Sequence, residues 1–310
     1  MKTAILFSGQ GGQRPGMMRD LIDAYPAARE LFDTASALLG RDIYTLTMEG
    51  TQEELDQTEN TQPCVLACEL AAFRVYRQLG LPFDAVVGFS LGEWAAVSAC
   101  GAAAEEDVLR LIAKRAAAMQ RAVPLGEGAM AAILGKDAAF VQELCQTVGD
   151  VSPANYNCPG NITVSGTAAG IDRLLKAADE QDIMATRVPV SVPSHCPLLA
   201  PAVEELRPVI QTLSLREPQV ALVMNATGKF TSAPEEIREN LIQQLVRPVL
   251  FQQSVELLFA RGYDCFVELG PGNTLSNMVK RAAKVAKTSV QVFQLNSLKS
   301  CEKVIEAFGI

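Results

Sequence analysis

Residues 85–94 read Ala85-Val86-Val87-Gly88-Phe89-Ser90-Leu91-Gly92-Glu93-Trp94, a short apolar run followed by the pattern G-x-S-x-G and a segment typical of a helix. A strand, a sharp turn and a helix are the context in which this pattern forms a nucleophile elbow. The turn lifts the serine hydroxyl clear of the sheet, and the two glycines let neighbouring backbone pass close to it. The pattern also arises by chance, but this context makes Ser90 the candidate nucleophile.

The composition indicates a globular protein with a sizeable core. The chain has 310 residues, of which 49% are apolar and 20% are charged. Its formal net charge of -8 argues against general nucleic-acid binding, which needs a basic surface. No apolar run is long enough to span a membrane, and the N-terminus lacks the regions of a signal peptide. We therefore expect a cytoplasmic protein that binds neither nucleic acid nor membrane.

The cysteine and histidine content argues against a metal centre. The eight cysteines are scattered, and the only close pair, Cys64 and Cys68, lies one helical turn apart in a predicted buried helix. The chain contains one histidine, His195, so the usual sets of zinc ligands are not available. We expect no metal site, and reduced cysteines that mostly fill the core.

A glycine-rich loop follows the first predicted strand. The apolar run from Thr3 to Ser8 ends in Gly9-Gln10-Gly11-Gly12-Gln13. Such a loop could cradle a phosphate, but it lacks both the G-x-G-x-x-G spacing and the Lys-Ser/Thr pair of a P-loop. We favour a backbone N–H that is offered to an oxyanion, and a plain turn is the alternative.

One arginine falls on the apolar face of a helix predicted over residues 105–122. A guanidinium on such a face is costly unless an anion meets it. Arg115 therefore either snorkels to the surface, forms an internal salt bridge, or binds the carboxylate of a ligand, for which its planar fork is suited. The stripe on which Arg115 lies also contains Val108, Leu111, Ile112, Ala118, Met119 and Ala122.

A second unit is predicted from Gly128 onward. The order of its elements is β-α-β-β-α-β, the arrangement of a ferredoxin-like domain. Parallel-sheet features resume after it, so we expect a small domain over residues 127–193, inserted into a large domain formed by residues 1–126 and 194–310. The predicted strands are 129–134, 151–156, 162–165 and 185–192, and the predicted helices are 138–147 and 170–180.

The remaining elements alternate between helix and strand, which predicts a parallel sheet covered on both faces. Before the elbow, helices are expected at about 18–39, at 51–57 and at 63–79, the last of which opens with Pro63. A capping box, Thr51-x-x-Glu54, begins the middle one. Beyond the small domain the predicted strands are 220–224, 264–269 and 290–295, and the predicted helices are 232–245, 251–260 and 274–284.

The single histidine lies at the junction of the two predicted domains, in the proline-bracketed loop Ser191-Val192-Pro193-Ser194-His195-Cys196-Pro197. A lone histidine is most often structural. Clefts form at domain junctions, however, and this position favours a catalytic role. If Ser90 is a nucleophile with a histidine as its general base, that base is His195.

Six short motifs follow one another along the chain: Gly9-Gln10-Gly11-Gly12-Gln13, Gly88-Phe89-Ser90-Leu91-Gly92-Glu93, Arg115 with Met119-Gln120, Ser191-Val192-Pro193-Ser194-His195, Gln244 with Pro248-Val249, and Glu268-Leu269-Gly270-Pro271-Gly272. Together they resemble the motifs of the malonyl-CoA:acyl carrier protein transacylases, in that family's order and over nearly the whole chain. Six ordered motifs are far more specific than any single one. The resemblance implies a serine acyltransferase with an α/β-hydrolase-like large domain and a ferredoxin-like small domain.

The resemblance also implies roles for individual residues. Ser90 matches the acylated serine, His195 matches its base, and Arg115 matches the arginine that holds the free malonyl carboxylate. The backbone N–H groups of Gln10 and Leu91 match the oxyanion hole. Gln244 matches the residue that orients the histidine through its backbone carbonyl, and the pocket residues expected from the motifs are Phe89, Met119 and Ser194.

Three motifs depart from the pattern of the family. The family usually has histidine where this chain has Phe89, and commonly has serine where this chain has Gly12. Pro-Val is commonly followed by Arg-Trp, where this chain has Leu250-Phe251. Phe89 adjoins the nucleophile, so it bears on the polarity of the pocket and on the choice of acyl group, but it removes neither the nucleophile nor the base.

The predicted reaction is transfer of a malonyl group from malonyl-CoA to the phosphopantetheine thiol of holo-acyl carrier protein, through a malonyl-serine intermediate. The CoA thioester is a substrate, no permanently bound cofactor is expected, and the protein is expected to be a monomer. The alternatives are a trans-acting polyketide acyltransferase with another acyl preference, an acyl thioester hydrolase, and a non-catalytic module that binds carrier protein.

Overall fold

The protein has a mixed α/β fold with two separate β-sheets in a computed structural model that describes residues 1–190 and 192–310. The larger sheet is mostly parallel and the smaller one is antiparallel. In chain order the strands are β1 (Thr3–Phe7), β2 (Ala85–Gly88), β3 (Gly128–Leu134), β4 (Val151–Cys158), β5 (Asn161–Thr167), β6 (Ala185–Val188), β7 (Ala221–Met224), β8 (Lys229–Phe230), β9 (Cys265–Leu269) and β10 (Gln291–Leu295).

Helices connect most of these strands. In chain order they are α1 (Arg19–Ala24), α2 (Pro26–Leu39), α3 (Ile43–Glu49), α4 (Gln52–Leu55), α5 (Thr58–Gln78), α6 (Gly92–Ala99), α7 (Glu105–Ala122), α8 (Ala138–Val148), α9 (Ala168–Asp179), α10 (Ala200–Gln211), α11 (Pro234–Gln243), α12 (Phe251–Ala260), α13 (Thr274–Ala286) and α14 (Leu298–Phe308). A short 3-10 turn, Pro197–Leu199, precedes α10.

The larger sheet has the strand order β10-β9-β1-β2-β7-β8, in which the first five strands are parallel and β8 is antiparallel to β7. All five residues of the central strand β1 are buried, as expected for a parallel strand that is covered on both faces. Ile5 and Phe7 pack into one apolar cluster, and Ala4 and Leu6 pack into another on the opposite face. The prediction of a parallel, doubly covered sheet is confirmed.

Parallel pairing decides where the functional segments meet. The carboxyl ends of parallel strands lie along one edge of the sheet, and ligands of such sheets bind outside that edge. The glycine-rich loop follows β1, the elbow follows β2, Asn225 follows β7, and the turn Gly270-Pro271-Gly272 follows β9. One edge of the larger sheet therefore brings together segments that are far apart in the sequence.

Several helix predictions need correction. The segment predicted as helical at 18–39 is broken at Tyr25, whose extended backbone (φ -114°, ψ 110°) is what a following proline favours. Helix α5 begins at Thr58 instead of Pro63, so this proline lies inside the helix. The sequence analysis did not predict α3, α10 and α14. The capping box of α14 does not have the usual sequence pattern, because its third helical residue is Ser300 and not glutamate or glutamine.

The smaller sheet has the order β4-β5-β3-β6, with antiparallel pairing throughout. Its elements follow the order β3-α8-β4-β5-α9-β6, and apolar residues of α8 and α9 pack on one face of the sheet. Strand β6 ends at Val188 and not at the predicted Val192, because Pro189 has no N–H to continue the ladder. Ser191, which the prediction placed in this strand and in the histidine motif, lies outside the described residues.

Hydrogen bonds join strand β4 and the turn after it to parts of the chain outside the smaller sheet. Strand β4 accepts a hydrogen bond from the N–H of Val249 at Ala154 O (2.8 Å), and Tyr156 N–H donates to Val249 O (2.9 Å). From α13, the guanidinium of Arg281 donates to Pro159 O at 2.8 Å. The Pro-Val motif therefore fixes β4 beside the segment that links α11 and α12.

The elbow depends on backbone packing that excludes a side chain. A Cβ at Gly88 would lie 2.1 Å from the backbone of Gly92 and Glu93, and a Cβ at Gly92 would lie 2.2 Å from Ser8 O. Both distances are far below van der Waals contact. The two glycines of G-x-S-x-G therefore allow α6 to start directly against β1 and β2.

We expect Gly92→Ala to lower the free energy of unfolding by about 3 kcal/mol, because the new methyl group meets backbone that has nowhere to move. Gly40→Ala is the matched control: Gly40 ends α2 with φ 64° and open space around its Cα. There only the left-handed conformation is penalised, by about 1 kcal/mol. Urea unfolding measures both, and equal losses would contradict the packing argument.

Candidate active site

Ser90 occupies the turn of the elbow in a left-handed conformation, with φ 54°. This region is unfavourable for residues other than glycine, and such outliers concentrate at functional sites. The Ser90 N–H donates to Asn225 Oδ1 at 2.7 Å, and Asn225 Nδ2 donates to Gly88 O at 2.7 Å. Asn225 therefore bridges the two sides of the turn and holds it from the neighbouring strand end.

His195 is buried beside Ser90, and its Nε2 lies 2.7 Å from Ser90 Oγ. Its Nδ1 lies 2.8 Å from the backbone oxygen of Gln244, which can only accept, so Nδ1 carries the proton and Nε2 is the acceptor. The pKa of His195 is lowered to about 4, chiefly by burial; the hydrogen bond to the Gln244 carbonyl opposes this shift, and the charge of Arg115 adds to it. The imidazole is therefore neutral at pH 7, as a general base must be.

Gln244 connects the base to the other polar groups of the site. Its side chain is buried, and its Oε1 accepts a hydrogen bond from Arg115 Nη2 at 3.0 Å. Its Nε2 donates to Ser90 O at 2.7 Å and to Glu93 Oε2 at 2.6 Å. One residue therefore holds His195 through its backbone and contacts three other residues through its side chain.

Arg115 is a buried cation, with 1% of its surface exposed. Its Nη1 donates to Gln62 Oε1 at 2.7 Å, and its Nη2 lies 3.4 Å from Ser90 Oγ. The guanidinium does not reach solvent, and within the described part of the chain no carboxylate pairs with it and its Nε has no hydrogen-bond partner. Burial lowers the pKa of Arg115 to about 10, so it stays charged at neutral pH.

Glu93 is a second buried ionisable group, in the first turn of α6. Its Oε1 accepts from the backbone N–H of Asn225 at 2.5 Å, and its Oε2 accepts from Gln244 Nε2. Burial raises the pKa of Glu93 to about 7, while these two donors and the charge of Arg115 act in the opposite direction.

The two N–H groups expected to form the oxyanion hole belong to Gln10 and Leu91. Gln10 lines the same cavity as Ser90, and its Oε1 lies 3.4 Å from Gln62 Nε2. Leu91 follows Ser90 directly, and neither its N–H nor that of Gln10 donates to an acceptor among the described residues. Gly12 packs where a Cβ would lie 2.4 Å from Pro271 O, so the loop in this conformation has no room for the serine that is common there.

A cavity of about 110 Å³ opens at Ser90 and His195. Phe89 and Ser194 line it, and residues of the smaller sheet, among them Asn155 and Thr163, form another part of its wall. Met119 is buried outside this lining, with its sulfur 3.3 Å from Gln62 Nε2. The cavity therefore lies between the two sheets, with the elbow at one end.

The structure places Ser90, His195, Arg115 and Gln244 together, as the sequence motifs led us to expect. Sequence reasoning missed Glu93, Asn225 and Gln62 as members of the site. A carboxylate within the apolar segment around Trp94 was an available signal for Glu93, and the position just after a parallel strand was one for Asn225. For Gln62, in the middle of α5, the sequence offers no comparable signal.

The described residues, 1–190 and 192–310, hold neither a cluster of metal ligands nor a membrane-spanning helix. They contain no group of three or more histidine, cysteine, aspartate or glutamate side chains placed to hold a metal ion. No helix in these ranges is long and apolar enough to cross a membrane.

Comparison with known proteins places the chain in a family. Residues 5–299 match the family model described as the acyl transferase domain. The chain belongs to the acyl transferase domain family. It is 39% identical over 292 residues to a malonyl CoA-acyl carrier protein transacylase of Bacillus subtilis (strain 168), which covers 93% of this chain and 92% of the relative.

Solved structures of the acyl transferase family superpose closely on this fold. A malonyl CoA-acyl carrier protein transacylase from Coxiella burnetii has a TM-score of 0.94 at 36% identity, covering 99% of this chain and 97% of that one. A malonyl-transacylase solved in complex with its type II PKS acyl-carrier protein has a TM-score of 0.95 at 34% identity, covering 99% and 100%.

We expect the strain at the elbow to be measurable in two variants that both lack the serine hydroxyl. Ser90→Ala retains the cost of φ 54°, whereas Ser90→Gly relieves it, so the glycine variant should be more stable by about 1 kcal/mol. Because both variants lose the hydrogen bond to His195, their difference in urea unfolding isolates the backbone. An alanine variant as stable as the glycine variant would show that the elbow is unstrained.

Proposed function

We propose that this protein transfers the malonyl group of malonyl-CoA to the phosphopantetheine thiol of acyl carrier protein, through a malonyl ester on Ser90. The names of its relatives support the substrates, and one of the structural neighbours was solved with a carrier protein. The observation that carries the proposal is the position of Ser90 Oγ, 2.7 Å from His195 Nε2 and 3.4 Å from Arg115 Nη2. Nucleophile, base and a carboxylate-binding cation converge on one oxygen.

In the first half-reaction His195 Nε2 takes the proton of Ser90 Oγ, and the oxygen attacks the thioester carbon of malonyl-CoA. The C–S bond then breaks, and His195 returns the proton to the departing CoA thiol. A malonyl-serine ester remains. Gln244 supports this step because its carbonyl fixes the protonated Nδ1 and leaves Nε2 as the acceptor.

The tetrahedral intermediate places a negative charge on the former carbonyl oxygen. We assign its stabilisation to the N–H groups of Gln10 and Leu91, which have no acceptor within the described chain. Removing one such donor in other enzymes costs about 2.7–4 kcal/mol, so a pair of them is a large contribution.

We assign the free carboxylate of the malonyl group to Arg115. A buried guanidinium without a carboxylate partner is an unfavourable state that a substrate anion would relieve. Its unsatisfied Nε–H and its position beside Ser90 Oγ support this role. An acetyl group has no charge to offer, so the arrangement favours malonyl over acetyl.

In the second half-reaction His195 Nε2 takes the proton of the phosphopantetheine thiol, and the sulfur attacks the ester carbon of malonyl-serine. The C–O bond to Ser90 then breaks, and His195 returns the proton to Ser90 Oγ. Hydrolysis differs only in that water is the attacking group, so parallel assays of transfer and hydrolysis separate a transacylase from a thioester hydrolase. Intact-protein mass after incubation with a panel of acyl-CoA thioesters separates malonyl from other acyl preferences, including those of a polyketide acyltransferase.

We also propose that the smaller sheet belongs to an inserted ferredoxin-like domain over residues 127–193, and that residues 1–126 and 194–310 form an α/β-hydrolase-like domain. The strand order β4-β5-β3-β6 and the βαββαβ connectivity support the first assignment, and the elbow at the end of a parallel strand supports the second. A monomeric state and a cytoplasmic location stay predictions from the sequence.

The acylated residue can be identified by mass. Wild-type protein incubated with malonyl-CoA should gain the mass of one malonyl group, and Ser90→Ala should gain none while remaining folded, since it loses one hydroxyl. His195→Ala should acylate slower by at least about a hundredfold, because the chain has no second histidine. Malonylation of Ser90→Ala would remove this serine from the mechanism, and a loss of less than about tenfold in His195→Ala would require another base.

The role of Arg115 can be tested by comparing two thioesters. We expect wild type to reject acetyl-CoA, and Arg115→Ala to reduce the malonyl preference by at least about a hundredfold, chiefly through weaker malonyl transfer. The measurement is kcat/KM for both thioesters. Lys114→Ala, an exposed neighbour on α7, is the control and should leave the ratio unchanged. An unchanged ratio in folded Arg115→Ala would make this arginine purely structural.

A further inference from the structure

Glu93 is fully buried and touches two residues that in turn hold the reacting groups. Its Oε1 accepts from the N–H of Asn225 at 2.5 Å, and its Oε2 accepts from Gln244 Nε2 at 2.6 Å. Neither oxygen touches Ser90, His195 or Arg115 directly within the described residues. The hydrogen bonds of this carboxylate therefore reach the reacting groups through its two partners, and its charge also acts on Arg115 through space.

Each partner extends to a different part of the site. Asn225 Oδ1 accepts the N–H of Ser90, so it fixes the strained turn. Gln244 holds His195 Nδ1 with its backbone oxygen and Arg115 Nη2 with its side-chain oxygen. Nucleophile, base and cation are thus each one residue away from Glu93.

We propose that the ionised side chain of Glu93 is the positioning group that sets Ser90, His195 and Arg115 relative to one another. The proposal rests on the function proposed above, and it adds a residue that acts through Asn225 and Gln244 without contacting substrate.

The orientation of the Gln244 amide shows why a carboxylate is needed. Its NH2 group donates to Glu93 Oε2 and to Ser90 O, which leaves Oε1 to accept from Arg115. Turning the amide over would place its NH2 group against the guanidinium, two donors facing each other. Glu93 prevents this because an ionised carboxylate only accepts. A protonated carboxyl or an amide at position 93 has one oxygen that only accepts hydrogen bonds. Its other polar group carries a hydrogen, which would face an N–H of Asn225 or Gln244 that also donates.

The charge state of Glu93 changes in an accessible pH range. Burial raises its pKa to about 7, and the charged group that opposes this is Arg115 of α7. The other titratable group of the cluster, His195, is neutral near this pH because its pKa is about 4. The groups that face the cluster from α5 and from the end of β7 are the uncharged Gln62 and Asn225. A pH dependence near 7 therefore belongs to Glu93.

The test compares Glu93→Gln with Glu69→Gln, a matched buried carboxyl on α5. Glu69 is also fully buried and accepts from Ser8 Oγ at 3.0 Å, and burial raises its pKa well above the usual value. The same substitution there changes a buried carboxyl that has no hydrogen bond to Asn225 or Gln244 among the described residues. The measurement is kcat/KM for malonyl-CoA from about pH 5.5 to 8, with circular dichroism to verify folding.

We expect Glu93→Gln to lower kcat/KM at pH 8 by about a hundredfold, the effect of displacing reacting groups by a fraction of a bond length. The kcat/KM of this variant should not change between about pH 5.5 and 8, and it should equal the low value that wild type approaches near pH 5.5. Wild type should lose activity as the pH falls through about 7, because protonation of Glu93 removes an acceptor. Glu69→Gln should stay within about twofold of wild type and keep the wild-type profile.

Three outcomes overturn the proposal. The first is a folded Glu93→Gln within about threefold of wild type at pH 8. The second is a wild-type kcat/KM that does not change as the pH passes through 7. This outcome rejects the proposal even if Glu93→Gln does not fold. The third is higher activity in Glu93→Gln or at low pH, because this carboxylate would then act only as a charge that opposes the malonyl anion. A wild type that transfers no malonyl group would instead reject the proposed function.

Discussion

The buried cation of Arg115 is the constraint around which the site is arranged. A guanidinium removed from water costs several kcal/mol unless acceptors surround it, and here the acceptors are side-chain amides, Gln62 and Gln244, with Glu93 one residue further away. Amides satisfy hydrogen bonds without cancelling the charge. The cation therefore keeps its attraction for an anion, which is the basis for proposing that it binds the malonyl carboxylate.

The departures of this chain from its family's motifs are explained by packing. Phe89 and Phe251 stand in two different motifs, at positions where the family has histidine and tryptophan. Their rings meet edge to face, with centroids 5.5 Å apart, so the two replacements belong to one contact. Gly12 likewise packs so close to the carbonyl oxygen of Pro271 that a side chain has no room there. Because Phe89 lines the cavity beside Ser90, this aromatic pair makes one wall of the acyl site apolar without touching the hydrogen bonds of His195.

Local signals in the sequence predicted what local physics decides. The apolar stripe of α7 predicted the helix and placed Arg115 on its apolar face, and the strand, glycine and serine pattern predicted the elbow. Other features depend on tertiary contacts that no window of sequence contains. The start of α5 before Pro63 and the bonds of Glu93 to Asn225 and Gln244 are of this kind. The end of β6 at Val188 is not, because Pro189 was a local signal in the sequence. Glu93 and Asn225 are 132 positions apart, and only the parallel pairing of β2 with β7 brings them together.

The charge of Arg115, which is proposed to select the substrate, also affects the strength of the base His195. Arg115 contributes to the low pKa of His195, which keeps the imidazole neutral but also makes it a weak base. Burial is the main cause of that low pKa, and Arg115 adds a smaller effect. If Arg115 binds the malonyl carboxylate, as proposed above, the carboxylate offsets the positive charge and the pKa of His195 rises. An acetyl group has no charge that could do so. The proposed role of Arg115 therefore links the selection of the substrate to the strength of the base, because both residues lie within hydrogen-bond reach of Ser90 Oγ.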